Sequence, residues 1–175
     1  MDVPQCTCGT PAETNFSHLG PLCKTCFLDV LQRRARKALK DAGWLQPRQK
    51  VHFAFDETAL GRAAEALFLA VIKGLPLDYV PAEQAEVIVV GKTADAEAED
   101  FLHELFAGRL VEKRTVLNVL ANISAAELEK YCEFMSITST SLEKSALRKH
   151  LDTLEQRYPG TVFALQKSKE SFTKE

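Results

Sequence analysis

The sequence predicts an α/β fold, a parallel sheet flanked by helices, behind a short cysteine-rich unit. Three observations lead there. Apolar runs at residues 50–55 and 86–91 read as buried strands. They alternate with segments whose apolar residues recur at helical spacing, the pattern of a doubly wound parallel sheet. Ahead of them, four of the five cysteines lie in two close pairs, Cys6/Cys8 and Cys23/Cys26.

Residues 1–23 are polar and turn-rich, with Gly9, Pro11, Gly20 and Pro21, and cannot bury a core of their own. A helix starts near Lys24. Phe27, Leu31, Ala35, Ala38 and Ala42 share one face, Gly43 closes it, and Pro47 follows. Residues 44–49 read as a linker, which divides the chain into 1–46, a knuckle and basic helix, and 47–175, the α/β domain. After the strand at 50–55, a helix at 57–73 carries Leu60, Ala63, Ala64, Leu67, Phe68 and Val71 on its apolar face and closes at Gly74. A short strand at 77–80 and the strand at 86–91 follow. A helix at 95–106 ends at Gly108, and 114–120 is extended. Ser124 N-caps a helix to about Phe134, with Glu127 at the capping-box position. A helix at 142–158 stops at Pro159-Gly160, 161–165 is extended, and a polar tail begins at Ser168.

With 46% hydrophobic and 26% charged residues, the composition is that of a globular protein. No apolar stretch reaches the roughly 18 residues of a membrane span. MDVPQC lacks the pattern of a signal peptide. The expectation is a cytoplasmic protein without membrane contact, in a reducing compartment where paired cysteines favour metal over disulfide. A net charge of −2 excludes coating nucleic acid by bulk charge, so any such contact needs a local patch.

Each cysteine pair offers two thiolates from one tight turn, the donor set of tetrahedral zinc. Cys23/Cys26 have the common C-x-x-C spacing, and Cys6/Cys8 the tighter C-x-C. The alternatives are two free or disulfide-bonded pairs, or His18 in place of Cys6. Four protein ligands leave no open position, so this zinc would be structural. Cys132, alone on an apolar helical stretch, reads as a small buried hydrophobe. Arg33, Arg34, Arg36, Lys37 and Lys40 form either a solvated helix face or a phosphate-contacting stripe.

In a doubly wound sheet, the loop after the first strand faces the ligand crevice. A phosphate-binding loop there needs glycines, so that backbone amides can approach the anion. This chain has Asp56-Glu57-Thr58-Ala59-Leu60-Gly61, with two carboxylates and no early glycine. Acid groups suit a helix N-terminus but occupy the place of a phosphate. No ATP binding is expected, and a helix cap is the simpler role for Asp56.

These segments together resemble the tRNA 2-thiolation family, the two-thiouridine synthetases and cytoplasmic tRNA 2-thiolation proteins. The knuckle followed by Phe27 and a basic helix is similar to that family's opening. Val89-Val90-Gly91-Lys92-Thr93-Ala94-Asp95 resembles its G-H-N-x-D-D-x-A segment. Glu127 and Tyr131 match the next helix, and Arg148, Leu151, Leu154-Glu155, Pro159-Gly160 its R-x-x-L-x-x-L-E-x-x-x-P-G ending. The resemblance implies a reduced PP-loop sheet of the adenine nucleotide alpha hydrolase-like kind over 47–175. It also marks the departures. Asp56 to Gly61 stand where the family has S-G-G-x-D-S, Lys92-Thr93 replace His-Asn, and Asp95 alone remains of an Asp pair. The segment bearing the family's later C-x-x-C is missing, and 137–141 hold no cysteine.

The resemblance implies a non-catalytic second subunit that pairs with a catalytic PP-loop thiolase paralogue. That partner would bring in any ubiquitin-like sulfur carrier. The tRNA, with its wobble uridine favoured, would be contacted through Arg33, Arg34, Arg36, Lys37, Lys40 and Arg148. Arg148 resembles a family arginine near the active-site rim, though an ion pair with Glu143 or Asp152 serves equally. Two other readings stand beside this one. One is a stand-alone metal-dependent nucleotide- or RNA-modifying enzyme using Asp56, Glu57 and Asp95. The other is a zinc-knuckle RNA-binding adaptor.

Overall fold

The computed structural model describes residues 4–43, 45–108, 116–138 and 145–172, without the side chains of 170–172. The expectations for Trp44, for the start of the strand at 114, for residues 139–141, and for 142–144, including Glu143, lie outside these.

The first 23 residues hold more structure than their turn-rich composition predicts. Thr14–Phe16 (β1) and Gly20–Leu22 (β2) pair as an antiparallel hairpin, and Gln5 bridges Pro11. Phe16 stacks on Phe27 at 5.7 Å, so the hairpin leans on the first helix, Lys24–Asp41 (α1). That helix buries Phe27, Leu31, Ala35, Ala38 and Leu39, while Ala42 stays exposed.

The main sheet is Lys50–Ala54 (β3), Asp78–Tyr79 (β4), Val87–Val90 (β5) and Val116–Asn118 (β6), all parallel, in the order β4-β3-β5-β6. Ala59–Val71 (α2) links β3 to β4, and Ala94–Phe106 (α3) links β5 to β6. These crossovers run in opposite directions across the sheet, so right-handedness places α2 and α3 on opposite faces. Between β4 and β5 there is no helix. A single 3-10 turn at Ala82–Gln84 carries the chain across β3, anchored by Glu86 N to Lys50 O and by His52 Nδ1 to Val80 O. Parallel neighbours usually need about a dozen connecting residues. The shortcut works because β4 is only two residues long and pairs with the start of β3.

Alternation along the strands decides what is buried. Val51, Phe53, Val87, Val89 and Leu117 face α1, α2 and Ala125–Phe134 (α4), and with them form one core that reaches from Cys6 to Cys132. A second, smaller core joins Ala94 and Ala98 of α3 to Leu151 of Ala146–Arg157 (α5) and Val162 of Thr161–Phe172 (α6).

The segment 161–165 is therefore helical, not extended, and the tail from Ser168 continues the same helix. β-branched Thr161 and Val162 suggest a strand, but tertiary contacts override that preference. The Glu155 carboxylate of α5 accepts from Gly160 N at 2.7 Å and Val162 N at 2.9 Å, which satisfies the amides that open α6. Val162 is then buried against α3 and α5.

Candidate functional site

The four paired cysteines gather at the base of the hairpin, with all ligand atoms within 4.8 Å of one another. Cys8 Sγ lies 3.6 Å from Cys23 Sγ. Four sulfurs at about 2.3 Å from one tetrahedral ion stand roughly 3.8 Å apart, so the spacing fits a single thiophilic ion. The backbone amides of Cys8 and Cys23 lower the Cys6 thiol to about 6, and the neighbouring thiols of Cys6, Cys23 and Cys8 push Cys26 up to about 12. Among the described residues this is the one cluster able to hold a metal ion. Cys132 is buried with its Sγ 3.8 Å from Ala59 O, and burial raises its thiol, so it packs as a hydrophobe.

His18 is not a substitute ligand. Its Nε2 lies 2.9 Å from Glu127 Oε1, and it is not among the side chains gathered with the thiols. Arg34 Nη1 reaches the same oxygen at 2.8 Å, and Ser124 N donates to Oε2 at 2.8 Å. Glu127 is completely buried, whereas His18 and Arg34 keep about a quarter of their side chains exposed, 22% and 25%. The Phe163 ring of α6 meets His18 edge-on at 5.5 Å and lies 5.9 Å from the Arg34 guanidinium carbon. A carboxylate read from the sequence as a helix cap is thus also the junction of the knuckle, α1, α4 and α6.

This removes Arg34 from the free basic stripe. The remaining cations differ among themselves. Arg33 pairs with Asp29 at 3.1 Å on an exposed turn. Arg36, Lys37 and Lys40 are exposed and make no ion pair among the described residues.

The expected ion pair of Arg148 with Asp152 is present, but it is largely buried and shared with a second carboxylate. Arg148 Nη2 meets Asp95 at 2.9 Å and its Nε meets Asp152 at 3.1 Å, with only 11% of its side chain exposed. Asp95 also accepts from Ala125 N, so it joins α3, α4 and α5. Burial raises the Asp95 pKa, and the Arg148 charge opposes that rise. Asp95 is therefore spent on structure. It does not gather with Asp56 and Glu57 as a metal site.

At the end of β3, Thr58 rather than Asp56 caps α2, accepting from Gly61 N at 3.1 Å, and the Thr58 hydroxyl donates to Asp56. The turn is closed so tightly that a Cβ on Gly61 would lie 2.1 Å from Asp56 O. An open cleft of about 350 Å³ adjoins it, lined by Phe53, Phe55, Asp56, Glu57, Arg62 and Glu65. Three carboxylates against one guanidinium make this surface a poor host for a polyphosphate. Gly91 allows α2 to close on the end of β5, since a Cβ there would lie 2.5 Å from Ala64 Cβ.

Asn118, which sequence reasoning missed, fills the next gap between strand ends. Its Oδ1 accepts from Lys92 N and Leu120 N, and its Nδ2 donates to Lys92 O and Glu97 Oε1, each at 2.7–3.1 Å. The available signal was an amide at the end of an otherwise apolar run, Val116-Leu117-Asn118-Val119-Leu120.

No protein-family model matches the chain, and no curated protein matches it. Among solved structures, the chain is similar to the U34-tRNA thiolase NcsA from Methanococcus maripaludis, solved with its 4Fe–4S cluster. The TM-score is 0.78 at 15% identity, covering 98% of this chain and 87% of that one. The likeness is one of fold.

Proposed function

We propose that this chain is a non-catalytic subunit of a tRNA uridine 2-thiolation complex, cytoplasmic, working beside an active PP-loop thiolase. The fold likeness to a U34-tRNA thiolase supports the reaction class and favours the wobble uridine as target. The observation that carries the non-catalytic part is the turn from Asp56 to Gly61. It is acidic, its helix is capped by its own Thr58, and it lies beside an acidic cleft. ATP binding, and with it adenylation, would fall to the partner, as would any ubiquitin-like sulfur carrier. Structural zinc on Cys6, Cys8, Cys23 and Cys26 would fix the hairpin against α1, and Arg36, Lys37 and Lys40 would meet tRNA phosphates.

Affinity capture from the native cells, followed by thiolation of tRNA with the recovered complex, tests the reading. The expected result is a PP-loop partner whose activity depends on this chain, and tRNA binding that weakens when Arg36, Lys37 and Lys40 are reversed to Glu. The salt slope of binding should then fall by up to about 2.7, roughly 0.9 for each lost phosphate contact. Capture without a PP-loop partner, or magnesium-dependent ATP binding by the purified chain, overturns it.

A further inference from the structure

The hairpin that holds the two cysteine pairs cannot hold itself. Its strands are three residues each, and an isolated two-stranded hairpin is marginal in water even when longer. Its base is closed by the four thiols and its side by Phe16 on Phe27. At its tip, between Phe16 and Gly20, stands His18. Among the described residues, the hairpin's one hydrogen bond to anything beyond α1 is that from His18 to Glu127. The acceptor is a carboxylate fully removed from water. Such a group depends on every partner it has, because a lost donor is not replaced by solvent.

We propose that His18 is a latch through which metal occupancy of the four-cysteine site sets the packing of α4 and α6. With the ion bound, the hairpin tip is fixed and His18 donates to Glu127. Glu127 in turn holds Arg34 and the N-cap amide of α4, and Phe163 of α6 rests against both the His18 ring and the Arg34 guanidinium. When the ion leaves, the hairpin base keeps only the bonds of Glu13 N and the Thr14 hydroxyl to Leu22 O and the burial of Leu22, and His18 withdraws from Glu127. Glu127 keeps only Arg34 and Ser124 N, and Phe163 loses its edge contact. The first turn of α4 and the start of α6 loosen. The metal site thereby controls helices that lie far from it in sequence, the first starting at Ala125. The latch does not depend on the thiolation reading.

Amide hydrogen exchange on the full-length zinc-loaded chain tests it, with His18→Ala and His18→Gln as variants. His18→Ala should retain its zinc, yet exchange about tenfold faster at residues 125–128 and 162–165, the scale of one hydrogen bond to a charged group. His18→Gln, which can still donate to Glu127, should recover most of the protection. Chelating the metal from the unaltered chain should speed exchange at the same two places, and chelation of His18→Ala should add little there. The proposal is overturned by loss of zinc from His18→Ala, by exchange identical to the unaltered chain, or by chelation that loosens the hairpin alone. Should chelation unfold the whole chain, the zinc-loaded variants decide between the same outcomes.

Discussion

Glu127→Gln is the substitution through which the buried junction can be measured. The amide matches the carboxylate in volume, so no cavity forms and the change is one of charge and donors. Glu127 accepts three hydrogen bonds, from His18 at 2.9 Å, Arg34 at 2.8 Å and Ser124 N at 2.8 Å, split over its two oxygens. In glutamine one of those oxygens becomes a donor facing a donor. If it faces Ser124 N, the reciprocal half of the capping box is lost, at about 1 kcal/mol. The Arg34 guanidinium and the His18 ring N–H then share a neutral oxygen, which costs about 1 kcal/mol each after allowing for solvent screening at their exposed quarters. The sum, about 3 kcal/mol, sits at the lower edge of the range for breaking a buried ion pair. Urea unfolding at neutral pH with the metal saturating is the assay. With a slope near 2 kcal/mol per molar, the midpoint should fall by about 1.5 M. Arg34→Met should cost at least as much, since it leaves the fully buried carboxylate without its guanidinium. A loss below about 1 kcal/mol for either variant would refute the reasoning.

Gly61→Ala should lower the melting temperature by roughly 4–8 °C, because a clash with the Asp56 backbone carbonyl costs about 2 kcal/mol even after alanine's better helix propensity is counted; an unchanged melting curve would show that the turn gives way freely. Arg148→Met leaves the buried Asp95 without its cation, so its raised pKa climbs further. A carboxyl with a raised folded pKa loses stability as pH rises from its unfolded value toward its folded one, so the variant's deficit, read by denaturation, should be larger at pH 7.5 than at pH 5. Metal affinity should increase with pH, since the ligands bind as thiolates. Cys6 is ionised above about 6, whereas Cys26, held up at about 12, must release its proton on binding. Titration calorimetry in buffers of different ionisation enthalpy should register that release at pH 7.5.

The elements that could be read directly are those whose causes are local. The apolar spacing of Phe27, Leu31, Ala35 and Ala38 decided α1, the β-branched run Val87–Val90 decided β5, and Ser124 with Glu127 decided where α4 starts. The four cysteines were legible as a candidate metal site because each pair is closely spaced in the chain, Cys23 and Cys26 at the N-cap and first turn of α1. The hairpin between those pairs was not, since its three-residue strands carry too little alternation to register.

The chain alone was enough for the parallel α/β architecture, the four cysteines able to hold a metal ion and the acidic character of the turn after β3. Tertiary structure decided what the polar residues do. Glu127 meets His18 across 109 positions and Arg34 across 93. Arg148 finds Asp95 on another helix, and α6 becomes a helix because Glu155 caps it and α3 covers Val162. The physical reason is range. Helical and strand periodicities and caps act within a few residues, so they are written in the chain. Which carboxylate a cation reaches depends on strand order and crossover handedness, and these exist only once the sheet is assembled.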